Sequence, residues 1–207
     1  MYIPKKLAIQ SVEQMHDFID EFSFAVVTTA DLTASHLPLL LKREEGEFGT
    51  LYGHLAKANN HWKSMDMQTL LVVFSGPHGY ISPTWYDSYP AVPTWNYAAV
   101  HIKGEMTLTD EETTLQILTD TVKTYESNLL TPLDASDAEQ QGFIPEDYKD
   151  KLSRAIIGFK ITITEIEGKL KLGQHRSVAD QQGVITGLSL SQRFDDKALL
   201  AYTKRHS

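Results

Sequence analysis

The stretch Leu51-Tyr-Gly-His-Leu-Ala-Lys-Ala-Asn-Asn-His-Trp62 joins an apolar strand pattern to a segment that favours a helix. We expect a strand over Phe48–Gly53 and a helix over His54–Met65. Free backbone N–H groups at a helix start attract anions, and the helix dipole adds to this attraction. The glycine allows a close backbone approach. Further hydrogen-bond donors are His54, Lys57, Asn59 and Asn60. The stretch suits a phosphate, but a plain connection with a solvated lysine explains the spacing equally well.

Strand and helix patterns share the rest of the chain. Further strands are expected at Phe22–Ala30, Ser35–Lys42, Thr69–Ser75, Trp95–Thr109 and Phe159–Ile163. Further helices are expected at Ser11–Asp20, after a Thr109 cap, from Pro145 to about Ile157, and once or twice after Ser177. Gly76–Gly79 is expected to be a turn, Asn128–Ile144 a polar loop, and Pro38 a mark of an edge position or a bulge. Six or so strands with inserted helices predict a mainly β, α+β fold built on a small barrel.

Length and composition limit the classes of function. The chain has 207 residues, which suits a single domain over residues 1–207 with a C-terminal helical extension from about residue 177. There is no cysteine, which excludes disulfides, zinc knuckles and thiol nucleophiles. A net charge of −8 argues against DNA as a direct, high-affinity partner, although net charge does not describe its distribution. No signal peptide is evident, and no apolar run reaches the roughly 20 residues of a membrane span. We expect a cytoplasmic protein.

Two other segments could contribute to a binding site. The segment Phe74–Tyr97 holds many Tyr and Trp residues among prolines. It could line a pocket for a flat aromatic ligand such as an isoalloxazine ring, but a subunit interface or a loop core explains the same residues. The segment Lys169–Ser177 is the most basic stretch and could reach a phosphate, or it could be a solvated turn. The histidines are scattered without metal-ligand spacing, so we expect no metal site.

Several motifs occur in a fixed order. They are Ser35-His-Leu-Pro-Leu39, Gly53-His-Leu-Ala-Lys-Ala-Asn59 with Trp62, Phe74-Ser-Gly-Pro77, Tyr80-Ile-Ser-Pro83, Val92-Pro-Thr-Trp-Asn-Tyr97 and Lys169-Leu-Lys-Leu-Gly-Gln-His-Arg176. With this order the chain resembles the PaiB-type family, the FMN-binding negative transcriptional regulators. The resemblance extends from near residue 1 to about residue 190.

The resemblance implies an FMN-binding split β-barrel, like those of pyridoxamine-phosphate oxidases and flavin reductases. It also implies a homodimer with FMN at the subunit interface. The corner from His54 to Asn60 would grip the phosphate, the segment Ser35–Leu37 would follow the flavin edge, and Trp95 would pack near the ring or the partner subunit. The implied cofactor-binding residues are Ser35, His36, Leu37, His54, Leu55, Ala56, Lys57, Asn59, Asn60, Trp95, Lys171, Gln174 and Arg176. We expect a shared grip, with Lys171 and Arg176 closing on Lys57 from the same or the other subunit.

Other functions stay open at this point. The family usually has Gln-Asn-Arg where this chain has Gln174-His175-Arg176, and a neutral histidine still donates one hydrogen bond. No helix-turn-helix is obvious, so the regulator role and any DNA contact rest on the resemblance alone. The chain could instead be a flavin-dependent oxidoreductase, with the loop around Trp85 lining a substrate pocket. Haem binding through His54 or His175 is a third reading. No residue is an evident general acid or base, so enzyme activity stays undecided.

Overall fold

A computed structural model describes residues 1–126, 151 and 154–206. The strands in this part of the chain are β1 (Phe24–Thr28), β2 (Ala34–Pro38), β3 (Leu40–Lys42), β4 (Thr50–Ala56), β5 (Thr69–Ile81), β6 (Thr94–Leu108) and β7 (Ile156–Lys171). They form one sheet in the order β2-β1-β5-β6-β7-β4-β3. The pairs β1–β2, β3–β4 and β4–β7 are antiparallel. The edge position predicted at Pro38 is confirmed, because β2 ends at Pro38 and lies at a sheet edge. The single strand expected over Ser35–Lys42 is divided into β2 and β3, which lie at opposite ends of the strand order.

The α-helices of the described residues are α1 (Val12–Glu21), α2 (Trp62–Met65), α3 (Glu111–Glu126), α4 (Val178–Leu190) and α5 (Phe194–Arg205). The helix predicted from Ser11 is confirmed, with the Ser11 hydroxyl accepting the Gln14 N–H at 3.2 Å as its cap. The helices predicted after Ser177 are confirmed as α4 and α5, and the Ser177 hydroxyl accepts the Asp180 N–H at 3.1 Å. At α3 the cap was misplaced by one residue, because the carboxylate of Asp110 accepts the Thr113 N–H at 2.8 Å. The polar loop Asn128–Ile144 lies outside the described residues. So does most of the helix predicted from Pro145, but its described residues 151, 154 and 155 are helical, and β7 begins at Ile156, before the expected helix end.

The described residues fall into two compact units. The first unit comprises Met1–Phe22, Val73–His101 and Ile166–Ser207, and the second comprises Ser23–Val72 and Ile102–Glu165. Strands β5, β6 and β7 contribute residues to both. The single domain expected from the sequence stays a prediction.

Strand β4 is longer than expected, and the helix after it is shorter. Leu51, Gly53 and Leu55 are buried in alternation, which is the period of a strand. The pairing with β7 continues as far as Ala56 opposite Ile156. The predicted helix over residues 54–65 is therefore wrong in its first half, and α2 has only four residues. A helix this short provides no extended N-terminal anion site.

Gly53 has a packing role. A Cβ at this position would lie 2.6 Å from Cδ2 of Leu39 and 2.8 Å from Cζ of Phe159. The close approach that the glycine allows is therefore made by two core side chains of the second unit. The expectation that Gly53 opens the backbone to a phosphate is corrected accordingly.

The turn predicted at Gly76–Gly79 is also wrong, because β5 runs through it without interruption. Gly76 faces the ring of Phe18, and an added Cβ would lie 2.9 Å from Cε2 of that ring. Inside the first unit, Phe18 also contacts Phe22 and Tyr202, with ring centroids 4.8 and 6.4 Å away. Glycine permits the strand to lie against this aromatic cluster, so the residue that suggested a turn has a packing role.

Candidate functional site

The turn after β4 holds the residues expected to grip a phosphate. Two of its backbone donors are used inside the chain: the N–H of Lys57 donates to the carbonyl of Ala155, and that of Asn59 to the carbonyl of Ala56, each at 2.8 Å. The side chains of Lys57 and Asn60 are exposed and make no hydrogen bond to the residues that the structure describes. The main chain therefore offers fewer free N–H donors to an anion than the sequence predicts, while the side chains of Lys57 and Asn60 remain available.

A buried histidine at the end of this turn organises the site. His61 is 5% exposed, and both of its ring nitrogens have hydroxyl partners. Nδ1 lies 2.8 Å from Oγ of Ser35, and Nε2 lies 3.0 Å from Oγ1 of Thr29. Asn59 closes the group, because its Nδ2 donates to Oγ of Ser35 at 3.2 Å and its Oδ1 accepts the His61 backbone N–H at 3.1 Å. The structure thus brings the predicted residues Ser35 and Asn59 into direct contact.

Asp31 gives this group its charged end. Oγ1 of Thr29 donates to its carboxylate at 2.5 Å, and this bond, with another from the backbone of Thr33, lowers the pKa of Asp31. Burial lowers the pKa of His61 below its ordinary value, and the nearby Asp31 carboxylate opposes that shift only in part. His61 is therefore neutral near pH 7, flanked by an ionised carboxylate.

The remaining predicted residues of strands β2 and β4 face different environments. The ring of His36 is exposed, 6.1 Å from the ring of Phe24. The side chains of Leu37 and Leu55 lie in the core, so any cofactor contact they make is through the backbone. Ala56 is exposed and His54 is half-buried, and burial lowers the pKa of His54.

The remaining predicted cofactor residues lie in the first unit: Trp95, Lys171, Gln174 and Arg176. The ammonium of Lys171 donates to the carbonyl of Trp95 at 2.6 Å and to the hydroxyl of Thr94, so Trp95 and Lys171 are in contact. Burial lowers the pKa of Lys171. Gln174 bridges the backbone of β7 to the following turn, with its side chain bonded to the carbonyl of Leu170 at 2.5 Å and the N–H of Leu172 at 2.9 Å. These two polar side chains therefore fix the chain around Trp95.

Arg176 is engaged within the first unit. Its guanidinium lies 3.9 Å from the ring centroid of Tyr86 and 3.5 Å from the carboxylate of Asp180. Asp180 is buried and also accepts two hydrogen bonds from Ser88, which lower its pKa. The positive charge of Arg176 is thus balanced by a carboxylate, whereas Lys171 has no carboxylate partner among the residues that the structure describes.

An open depression of about 330 Å³ lies beside Trp95, lined by Ser75, Gly76, His78, Trp95, Tyr97, Ala98 and Ala99. The rings of His78 and Trp95 are 6.1 Å apart and tilted by 31°, and Trp95 is 49% exposed. An aromatic wall with an exposed indole suits a flat ligand. The dense aromatic segment singled out in the sequence contributes most of this wall.

Three residues of the hydrogen-bonded group around His61 were not predicted as site residues from the sequence: Thr29, Asp31 and His61. The contacts of His61 with Thr29 and Ser35 join positions 32 and 26 apart in the chain, and no spacing rule connects them. Among residues 1–126, 151 and 154–206, no group of three or more His, Asp or Glu residues is placed to hold a metal ion. Within the same residues, no helix is long and apolar enough to cross a membrane.

Comparison with known proteins identifies the family. A family model described as "Putative FMN-binding domain" matches residues 1–165. The chain belongs to this FMN-binding family. The protease synthase and sporulation protein PAI 2 of Bacillus subtilis is 34% identical over 192 residues, which cover 91% of this chain and 89% of that protein. An uncharacterized protein of Aspergillus fumigatus is 30% identical, covering 90% of each chain. The resemblance stated from the motifs is confirmed, and so is FMN as the cofactor.

Solved structures confirm the fold. The flavocytochrome Anf3 of Azotobacter vinelandii matches with a TM-score of 0.53 at 19% identity, covering 82% of this chain and 72% of that one. A conserved hypothetical protein of Mycobacterium tuberculosis matches with a TM-score of 0.52 at 10% identity, covering 82% and 90%. The mainly antiparallel sheet with helices is that of the flavin-binding split barrels, as expected.

Proposed function

We propose that this FMN-binding protein works as a homodimer of PaiB type in negative transcriptional control, with one FMN at each of two sites on the subunit interface. The observation that supports this function is the 34% identity to the PAI 2 protein over 91% of the chain. The acidic net charge of −8 favours control through a bound partner or a local basic patch over a broad DNA-binding face.

The residues of the second unit fit an anionic cofactor group. The ammonium of Lys57 is exposed and is not neutralised by a described carboxylate. Asn59 and Asn60 add amide donors on the same turn. An ammonium with neighbouring amides suits a phosphate, because charge-assisted hydrogen bonds to phosphate oxygens are strong. We therefore propose that Lys57, Asn59 and Asn60 hold the FMN phosphate.

The other predicted residues would contact other parts of FMN. Ser35 and the backbone around Leu37 would contact the ring edge or the ribityl chain. Trp95 offers an exposed aromatic face, and Lys171 is the candidate for a second positive charge, because Arg176 is already paired with Asp180. FMN itself supplies a flavin ring that accepts and releases electrons, and the chain's own residues bind and orient it.

A titration of the purified protein with FMN tests the site. We expect wild type to show a bound-flavin spectrum and Lys57→Ala to lose about 1–3 kcal/mol of FMN binding free energy. Lys197→Ala, which removes an exposed lysine from α5, should bind like wild type and controls for net charge. A wild-type protein that stays colourless during the titration would refute cofactor binding. Equal affinities for wild type and Lys57→Ala would remove Lys57 from the site.

The dimer and the regulator role need separate measurements. Sedimentation equilibrium of the FMN-loaded protein should give twice the mass of the chain, and a monomer at micromolar concentration would contradict the interface. Transcript profiles with and without the gene should show genes that rise in its absence. No change in any transcript would count against negative control.

A flavin-dependent oxidoreductase is the second candidate, and the aromatic depression beside Trp95 supports it. A depression of about 330 Å³ is within the size range of small-molecule sites. Stopped-flow mixing of the FMN-loaded protein with NADH, NADPH or pyridoxamine phosphate tests this reading. Bleaching of the flavin band would support it, and unchanged flavin with all three donors would contradict it.

A further inference from the structure

The polar group around His61 has a fixed direction of hydrogen bonding, and this direction follows from the donors and acceptors present. The His61 backbone N–H can only donate, so the Asn59 atom that it meets at 3.1 Å is the oxygen, Oδ1. The other amide atom, Nδ2, is therefore the nitrogen, and it donates to Oγ of Ser35. Asn59 keeps a second N–H, which has no partner among the described residues.

The opposite end of the group fixes the tautomer of His61. The single proton of the Thr29 hydroxyl is directed to the ionised carboxylate of Asp31 at 2.5 Å, because that carboxylate has no proton of its own to donate, while the carbonyl of Thr33 at 3.2 Å and Nε2 of His61 at 3.0 Å are more distant. The hydroxyl oxygen must then accept from the imidazole, so Nε2 carries the ring proton. In a neutral imidazole the other nitrogen is an acceptor, so Nδ1 accepts from Ser35.

The hydroxyl of Ser35 therefore has its proton and one lone pair already used in hydrogen bonds. Its one proton is donated to Nδ1 of His61 at 2.8 Å, and one lone pair of its oxygen accepts from Asn59. Only a second lone pair remains for anything outside the group. Ser35 keeps 9% of its surface exposed, and a cofactor atom that approaches this oxygen would meet the second lone pair.

We propose that His61 is a positioning residue of the cofactor site, which holds the Ser35 hydroxyl as a hydrogen-bond acceptor for a donor group of FMN and leaves Asn59 as a donor. The inference rests on the proposed function, in which Ser35 and Asn59 contact FMN. It specifies that function further: a phosphate oxygen offers no proton, so it pairs with Asn59 or Lys57. Ser35 pairs with a ribityl hydroxyl or with the ring N3–H.

The tautomer can be tested without cofactor. In ¹⁵N-labelled full-length protein at pH 7, His61 should show a protonated Nε2 and an unprotonated Nδ1, with its signals assigned by their loss in His61→Asn. Burial lowers the pKa of His61, which agrees with a neutral ring. A ring protonated on Nδ1, or on both nitrogens, would overturn the proposal.

Affinity for FMN gives the second test. The side-chain oxygen of His61→Asn replaces Nδ1 as an acceptor, so we expect affinity within about twofold of wild type. His61→Leu and Ser35→Ala should each weaken FMN binding roughly two- to tenfold. The double variant His61→Leu/Ser35→Ala should bind FMN no more weakly than Ser35→Ala alone. Independent, multiplying losses would overturn the coupling. His16→Asn, at a position 6% exposed in α1, should bind FMN like wild type and controls for the loss of a buried histidine.

Failure of this inference can be told apart from failure of the proposed function. A wild-type protein that binds no FMN refutes the function, whatever tautomer His61 has. A protein that binds FMN equally well with and without Ser35 refutes only the role given to His61. A comparison with 3-methyl-FMN identifies the donor: a loss of affinity in wild type but not in Ser35→Ala assigns N3–H, and equal binding assigns a ribityl hydroxyl.

Discussion

At the scale of single residues, the hydroxyl of Thr29 links the charge of Asp31 to the ring of His61. Thr29→Val keeps the shape of the side chain but leaves Nε2 of His61 without its 3.0 Å partner. A buried donor without a partner costs about 1–3 kcal/mol, so we expect the free energy of unfolding to fall by this amount in urea denaturation. Thr162→Val, at an exposed position of β7 in the same unit, should change it by less than about 0.5 kcal/mol. Equal losses for the two variants would contradict the buried network.

The sequence could suggest Ser35 and Asn59 but not the residue that joins them. The family resemblance predicts that both lie near the cofactor, because each belongs to a stretch that carries the resemblance. His61 was one of several scattered histidines, and its hydroxyl partners are 26 and 32 positions away. Contacts of that kind depend on how β1, β2 and the turn after β4 come together, and local patterns carry no information about it.

At the scale of elements, two glycines account for the largest differences between the predicted and the observed strands. Gly76 suggested a turn and Gly53 suggested an open backbone, yet both lie inside strands against bulky side chains. The alternation of Leu51, Gly53 and Leu55 is present in the sequence, but the helix expected over residues 54–65 ended the predicted strand at Gly53. Strand β6, by contrast, was placed within one residue at each end, since its apolar pattern is long and continuous.

Gly76→Ala tests the strand assignment of β5. The added Cβ would lie 2.9 and 3.0 Å from two ring atoms of Phe18, and overpacking of a core typically costs about 1–3 kcal/mol. We expect the urea midpoint to fall with an unchanged slope, whereas an exposed turn would accept alanine with little effect. Ser75→Ala, the exposed neighbour in the same strand, is the matched control. A variant as stable as wild type would contradict the packing at Gly76.

At the scale of the whole molecule, fold class and cofactor could be predicted because they depend on the order of long motifs, and that order survives local errors in strand ends. The family match over residues 1–165 covers every motif up to β7, while Lys171, Gln174 and Arg176 lie beyond it. The roles of these three residues could not be read from charge alone, because Asp180 pairs with Arg176 and its own burial depends on the fold of α4.

The burial of three histidines makes the free energy of unfolding depend on pH. Burial lowers the pKa values of His54, His61 and His101 below their ordinary value, which is about 6.5. As the pH falls below that value, the unfolded chain takes up protons that the folded chain does not, so the free energy of unfolding falls until the folded pKa values are reached.

The net charge of −8 opposes this trend, because acid also relieves repulsion among carboxylates. Comparison with His61→Asn separates the two effects, since both proteins share the remaining charges. We expect urea denaturation at pH 7.0 and 5.0 to show a larger acid-induced loss for wild type than for His61→Asn. An equal or smaller loss for wild type would mean that His61 is not held neutral in the folded protein.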